Sequence, residues 1–195
     1  MSATQRYHHG DLRRALLDAA VTLIAEVGPA ATSLRELARR TQVSHAAPAH
    51  HFGDKTGLLT AVAVQGFDLL TAELRATAEH TGSFVEVGVA YVRFAVSHPA
   101  HFATMFRTDL LRADDPDLCA AEARAREVLH TSVARAGVTR PGEDPRVTAL
   151  AAWSLVHGFA SLWSSGSVRD QSTGQHPEEL ARAVARVLSH RQPES

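Results

Sequence analysis

The stretch between Gly28-Pro29 and Gly53-Asp54 leaves this chain little freedom. Gly28 can take a left-handed helix cap and Pro29 cannot continue a helix, so the helical pattern before them stops there. Ser33-Leu34-Arg35-Glu36 then reads as a capping box. The serine oxygen accepts from the backbone at Glu36, and the Glu36 side chain reaches back. The helix it opens carries Leu34, Leu37 and Ala38 on one face and must end near Thr41. After Gln42-Val43 the next cap candidate, Ser44, follows at once, and a second short helix carries His45 to Phe52. Two short helices with so tight a joint are the sequence form of a helix-turn-helix.

The flanks are helical too. Leu12, Leu16, Ala19, Ala20, Leu23, Ile24 and Val27 recur at spacings of three and four, which predicts a helix over 12–27 with Asp11 as its N-cap. Gly53-Asp54-Lys55 breaks the second short helix. A long one follows from about Lys55 to Glu79, with Leu58, Leu59, Val62, Phe67, Leu70 and Leu74 as its apolar positions and Gly66 inside it. Further helices are expected near 83–96, 99–107, 117–136, 145–165 and 177–190, with loops over 108–116 and 166–176. No stretch alternates like a strand, and Ala, Leu, Arg and Glu favour helix. The chain is therefore expected to be all-α. Leu16, Ala20, Leu23, Leu34, Leu37, Ala38, Val43 and Phe52 are its candidate N-terminal core.

Charge is a weak guide. The formal net charge is −1, but residues 1–60 hold seven basic groups (Arg6, Arg13, Arg14, Arg35, Arg39, Arg40, Lys55) against five acidic ones. A nucleic-acid partner needs a local basic surface, not a basic total. The single cysteine, Cys119, excludes an intrachain disulfide and fits a reducing cytoplasm. The N-terminus shows no signal peptide, and no stretch reaches the ~20 apolar residues of a spanning helix. His8-His9 and His50-His51 do not make a metal site, because adjacent helical histidines diverge and zinc needs three or four converging ligands.

Tyr7-His8-His9-Gly10-Asp11-Leu12-Arg13, Ser33-Leu34-Arg35-Glu36-Leu37-Ala38, Val43-Ser44, His51-Phe52, Lys55 and Leu58 stand in an order and spacing that resembles the DNA-binding domain of the TetR family. The resemblance implies a helix-turn-helix DNA-binding domain over 1–54 and a helical ligand-binding and dimerisation domain over 55–195. It implies that Ser44 caps the recognition helix. His45, Ala46, Ala47 and Ala49 then stand where the family meets DNA, Arg35 can reach a base or a phosphate, and His51 and Lys55 hold phosphates. Arginine pairs bidentately with guanine, alanine methyls suit a thymine methyl, and helix N-termini donate amides to phosphate. Pro48 and Ala49 depart from the family, which has an apolar residue and then tyrosine there. Arg39 and Arg40 read equally well as a solvated face, while a structural histidine is the alternative reading of His51.

Further on, Ser97-His98-Pro99-Ala100-His101-Phe102, Met105-Phe106 and Trp153-Ser154-Leu155-Val156-His157-Gly158 resemble the C-terminal domain of a TetR subgroup named for Trp-His-Gly. Trp153 and His157, four apart, share a helix face. Tyr91, Phe94, Phe102, Met105, Phe106, Trp153 and His157 are the pocket candidates for a small, largely apolar effector. Trp153 reads alternatively as core. By resemblance the helices near 145–165 and 177–190 form the homodimer interface. Their apolar positions could instead be consumed within the monomer. The expected function is a cytoplasmic, ligand-released repressor on double-stranded palindromic operator DNA, with no cofactor and no membrane partner. An all-α enzyme is the rival, but no serine elbow, His-Glu-x-x-His, phosphate loop or carboxylate pair appears. A ligand-free, nucleoid-type DNA binder is the other.

Overall fold

The computed structural model describes residues 9–168 and 174–189, with side chains over 12–168 and 174–187. Arg6, Tyr7, His8, the middle of the 166–176 loop and residue 190 lie outside the described residues. Among those described the fold is all-α. The helices are α1 (His9–Val27), α2 (Leu34–Thr41), α3 (Ala46–Phe52), α4 (Lys55–Thr81), α5 (Phe84–Ser97), α6 (Pro99–Met105), α7 (Pro116–Ala136), α8 (Pro145–Ser164) and α9 (Pro177–Ser189).

The helix ends show where local signals suffice. Ser33, in an extended conformation, accepts from the Glu36 N–H at 3.2 Å, as expected. The Glu36 carboxylate does not complete the box. It binds Arg39 and Arg40 instead, because two guanidinium groups one turn away hold it more strongly than one backbone N–H. α1 begins at His9, so Asp11 lies within the helix and is not its cap. Ser83 caps α5 through the Glu86 N–H at 3.3 Å, and Asp144 caps α8 through the Arg146 N–H at 2.8 Å.

The described residues fall into two compact units. One holds the chain up to Gly66 together with Ala100–Cys119. The other holds Phe67–Pro99 and the residues from Ala120 onward. In the first, Leu16, Leu17, Ala20, Leu23, Ile24, Leu37, Ala38, Phe52, Leu58, Leu59 and Val62 are buried. Leu34 and Val43, expected in that core, are only half-buried, and Val27 is exposed at the end of α1. Gly66 is where α6 comes close: a Cβ there would lie 2.7 Å from Met105 Sδ and 3.1 Å from His101 Cβ. The absent side chain is thus a packing requirement and not a break in α4.

By length and mean hydropathy alone α4 could cross a bilayer, contrary to the sequence expectation. Its apolar residues Leu58, Leu59, Val62, Phe67, Leu70 and Leu74 are buried in the protein, which is how a core helix passes the same test.

In the second unit α5 packs against both α8 and α9. At Gly88 a Cβ would lie 3.2 Å from Val156 Cγ1 and 3.3 Å from Ala185 Cβ, so a glycine lets the three helices close up. Arg182 of α9 grips Glu86 of α5 with two bonds of 2.7 and 2.9 Å. A smaller cluster of Val133, Ala149 and Ala152, with Phe84, Leu129 and Val138 against it, ties α7 to α8.

Candidate nucleic-acid interface and ligand site

The first site is the α2–α3 pair. The joint is closed by Gln42, a non-glycine residue in the left-handed region (φ 55°). Its N–H donates to the Ala38 and Arg39 carbonyls, and the Val43 N–H donates to Ala38 at 3.2 Å. The carbonyls at the end of α2 are thereby satisfied within four residues of the next helix. Ser44 does not cap α3 through its side chain, contrary to expectation. His45 stands at the N-cap in helical conformation, and the Ser44 carbonyl accepts from the Ala47 N–H at 3.0 Å. A backbone turn has taken over the entry, which leaves the Ser44 hydroxyl out of the cap.

Pro48 lies in the first turn of α3, where its missing N–H would have had no helical partner, and its ring is buried. Burying it turns Ser44, His45, Ala46, Ala49 and His50 outward, with Ala47 half-buried. Arg35 on α2 is exposed as well. Thus Arg35, Ser44, His45, Ala46 and Ala49 are all exposed on the helix pair and the turn between its helices. That surface has short side chains around a helix start, which lets the backbone approach a groove.

The other expected DNA contacts have internal partners. His51 is half-buried, 5.4 Å from the His50 ring and 6.4 Å from Phe52. The Lys55 ammonium donates to the Ala30 carbonyl, so it ties the start of α4 to the α1–α2 loop. Arg39 and Arg40 are not simply solvated. Arg40 joins Glu36 at 2.8 Å and Glu26 of α1 at 2.7 Å, and Arg39 joins Glu36 at 2.8 Å. Arg39 first and Arg40 next hold the Glu36 carboxyl down to about 2. Arg13, which the sequence did not single out for this, lies over the Phe52 ring at 5.3 Å and joins α1 to α3.

The second site is polar and lies in the other unit. Trp153 Nε1 donates to the Tyr91 oxygen at 3.3 Å, and Tyr91 Oη lies 2.8 Å from His157 Nδ1. Indole N–H can only donate, so the assignment that satisfies all three groups has Tyr91 O–H donating to Nδ1 and the imidazole proton on Nε2. Burial pushes the Tyr91 hydroxyl well above its usual range and the His157 imidazole below its own, which keeps both neutral. The two α8 rings stand 5.6 Å apart, as their spacing of four predicts.

Trp153 is 38% exposed, so it is not plain core. Phe94 is fully buried and stacked on His98 at 4.8 Å. The other pocket candidates belong to the first unit. There Phe102 meets Phe106 edge-on at 5.5 Å, and Met105 is buried against Gly66.

Comparison with known proteins supplies the context. Residues 16–62 match the family model described as bacterial regulatory proteins, tetR family. Residues 84–188 match the one described as Tetracyclin repressor-like, C-terminal domain, a description that names no subgroup. An HTH-type transcriptional repressor of Mycobacterium tuberculosis is 48% identical over 52 residues, 27% of this chain and 28% of that protein. The match to such curated relatives therefore spans little more than a quarter of their length. A structure from Rhodococcus sp. RHA1, of a protein with unknown function, superposes with a TM-score of 0.78 at 33% identity, covering 94% of this chain and 96% of that one. The TetR family transcriptional regulator PfmR of Thermus thermophilus gives 0.69 at 25% identity, covering 91% and 99%.

Proposed function

Since the chain belongs to the TetR family of bacterial regulators, we propose that it is a sequence-specific DNA-binding transcriptional regulator, a repressor that holds a palindromic operator as a homodimer. The observation that carries this reading is the exposed surface of the α2–α3 pair. Arg35 can read a guanine edge or hold a phosphate. His45, Ala46 and Ala49 meet base edges, and Ser44, whose hydroxyl is left out of the cap, donates to DNA. His51 and Lys55 serve the phosphates, with Lys55 exchanging its Ala30 carbonyl for one. Such a protein works in the compartment that holds the DNA.

The homodimer is supported by α8. Val147 is 63%, Leu150 56% and Leu162 48% exposed, and Val187 of α9 is 56% exposed. Gly158, on the same side of α8 as Leu150, has open space where a Cβ would be. An apolar stripe left bare on α8, with Val187 of α9 beside it in the helix pair, can pair isologously with its copy. The resulting two-fold axis sets two recognition helices about 34 Å apart or somewhat more.

The effector is a small, largely apolar molecule, received beside Trp153 and His157. These residues, with Gly158, also support the finer placement in the Trp-His-Gly subgroup. α4, like α7, contributes residues to both units and provides a covalent path between them. A coupling of ~1–3 kcal/mol between effector and DNA would change DNA affinity roughly 5- to 150-fold.

Selection of bound sequences from a random duplex pool at physiological salt tests the reading. Enrichment of a palindrome is expected and gives the half-site spacing. Binding without sequence preference, with only a salt slope, would replace the regulator with a nucleoid-type binder.

A further inference from the structure

Ala100–Cys119 folds with the N-terminal helices, and Arg112 within it reaches the junction of α3 and α4. Leu111 is buried there. The next residue, Arg112, donates its N–H to Thr60 Oγ1 at 3.0 Å. Thr60 is itself buried, and its O–H donates to the Thr56 carbonyl at 2.8 Å, so both roles of the hydroxyl are used.

The Arg112 side chain turns to the start of the same helix. Its Nη2 lies 2.9 Å from Asp54 Oδ2, while Asp54 Oδ1 accepts from the Gly57 N–H at 2.7 Å. One carboxylate thus caps α4 with one oxygen and holds Arg112 with the other. Both terminal nitrogens of Arg112 stand 3.2 Å from where a Gly57 Cβ would be, and Nη2 stands 3.4 Å from that of Gly53. A Cβ at Gly57 would also collide with the Phe52 carbonyl. Gly53 has φ 78° and closes α3 by donating to the Ala49 carbonyl at 2.8 Å. The guanidinium therefore sits across the few residues that fix the direction of α3 against α4.

We infer that Arg112 is a positioning residue for DNA recognition: it latches the α3–α4 junction through Asp54 and holds the recognition helix at a fixed angle. The inference rests on the DNA-binding reading above. An isolated surface ion pair contributes little, largely because two long side chains must be ordered for it. Here the Leu111 anchor and the bond to Thr60 deliver Arg112 to its place, so less ordering remains. Asp54 is likewise fixed by its cap. Loss of the latch lets the junction open locally without unfolding the unit.

The test uses the full-length wild type and the Arg112→Ala, Arg112→Lys, Asp54→Asn and Arg112→Ala/Asp54→Asn variants. Asparagine keeps the α4 cap while removing the charge. Amide hydrogen exchange at residues 53–58 is read first, without DNA, and affinity for the selected duplex at several salt concentrations second. Arg112→Ala is expected to speed exchange at these amides and to weaken specific binding about three- to fivefold with the salt slope unchanged. Lysine should restore part of both. In the Asp54→Asn background the same change should add little, the signature of coupled residues. Unaltered exchange would overturn the latch. So would a salt slope reduced by about one without coupling to Asp54, which marks a direct phosphate contact. Should the wild type select no duplex, the regulator reading falls, while the exchange measurement still decides the latch.

Discussion

The two compact units use their surfaces in opposite ways. In the first, Leu16, Leu23, Leu37 and Leu58 turn inward, and α2, α3 and the turn between them show Arg35, Ser44, His45, Ala46 and Ala49 to solvent. In the second, α8 leaves Val147, Leu150 and Leu162 outside, while the polar groups of Tyr91, Trp153 and His157 satisfy one another. Under the proposed function, the first surface meets DNA and the second offers apolar area to a second copy. The same composition, sorted by helix period, supplies both.

The largest contrast is between two leucines. Leu37 is fully buried, so Leu37→Ala should cost ~3 kcal/mol of folding stability, read from urea unfolding. A loss below about 1 kcal/mol would mean that the first unit is not tightly packed. Leu150→Glu should leave the fold intact yet weaken self-association about a hundredfold, seen by sedimentation. An unchanged association state would return the α8 stripe to ordinary surface.

Next comes the reading face. Arg35→Ala should lose ~1–3 kcal/mol of operator binding, concentrated at one base pair if the side chain reads a base. An equal loss on every sequence would make it a phosphate contact. In the second unit, Tyr91→Phe removes the hydroxyl that His157 and Trp153 share. About 1–2 kcal/mol of stability should go with it, checked by thermal melting. No change would mean that the three groups are as well satisfied without it.

The smallest effect is one of pH. The Glu36 carboxyl is held at about 2 in the fold, below its ordinary value of 4.5. Its contribution is complete above pH 4.5 and is lost as pH falls towards about 2. On acidification the wild type should lose stability relative to Glu36→Gln. Parallel curves would show that the Glu36 charge gives nothing to the fold.

Much of this was legible in the chain itself. The helices lie within a few residues of their expected bounds, and Ser33 caps α2 as its capping box predicts. Such features depend on residues a turn apart, whose geometry the helix fixes in advance. Ser44 misled because a serine before a helix is an N-cap only if the backbone arrives extended, and here it arrives already helical. The pocket candidates share only a residue type suited to lining a cavity, and they divide between the two units.

By itself, then, the sequence determined an all-α chain, its helix boundaries, its α2–α3 pair and the family to which it belongs. Period, caps and breakers act locally and carry their meaning without a partner. Only the tertiary structure decided that Arg40 reaches Glu26, that Lys55 turns to Ala30, that Arg112 clasps Asp54, and that Tyr91 stands between Trp153 and His157. In each case the partners are more than a dozen residues apart. Their meeting depends on how packed helices are rotated and spaced, which no local pattern encodes.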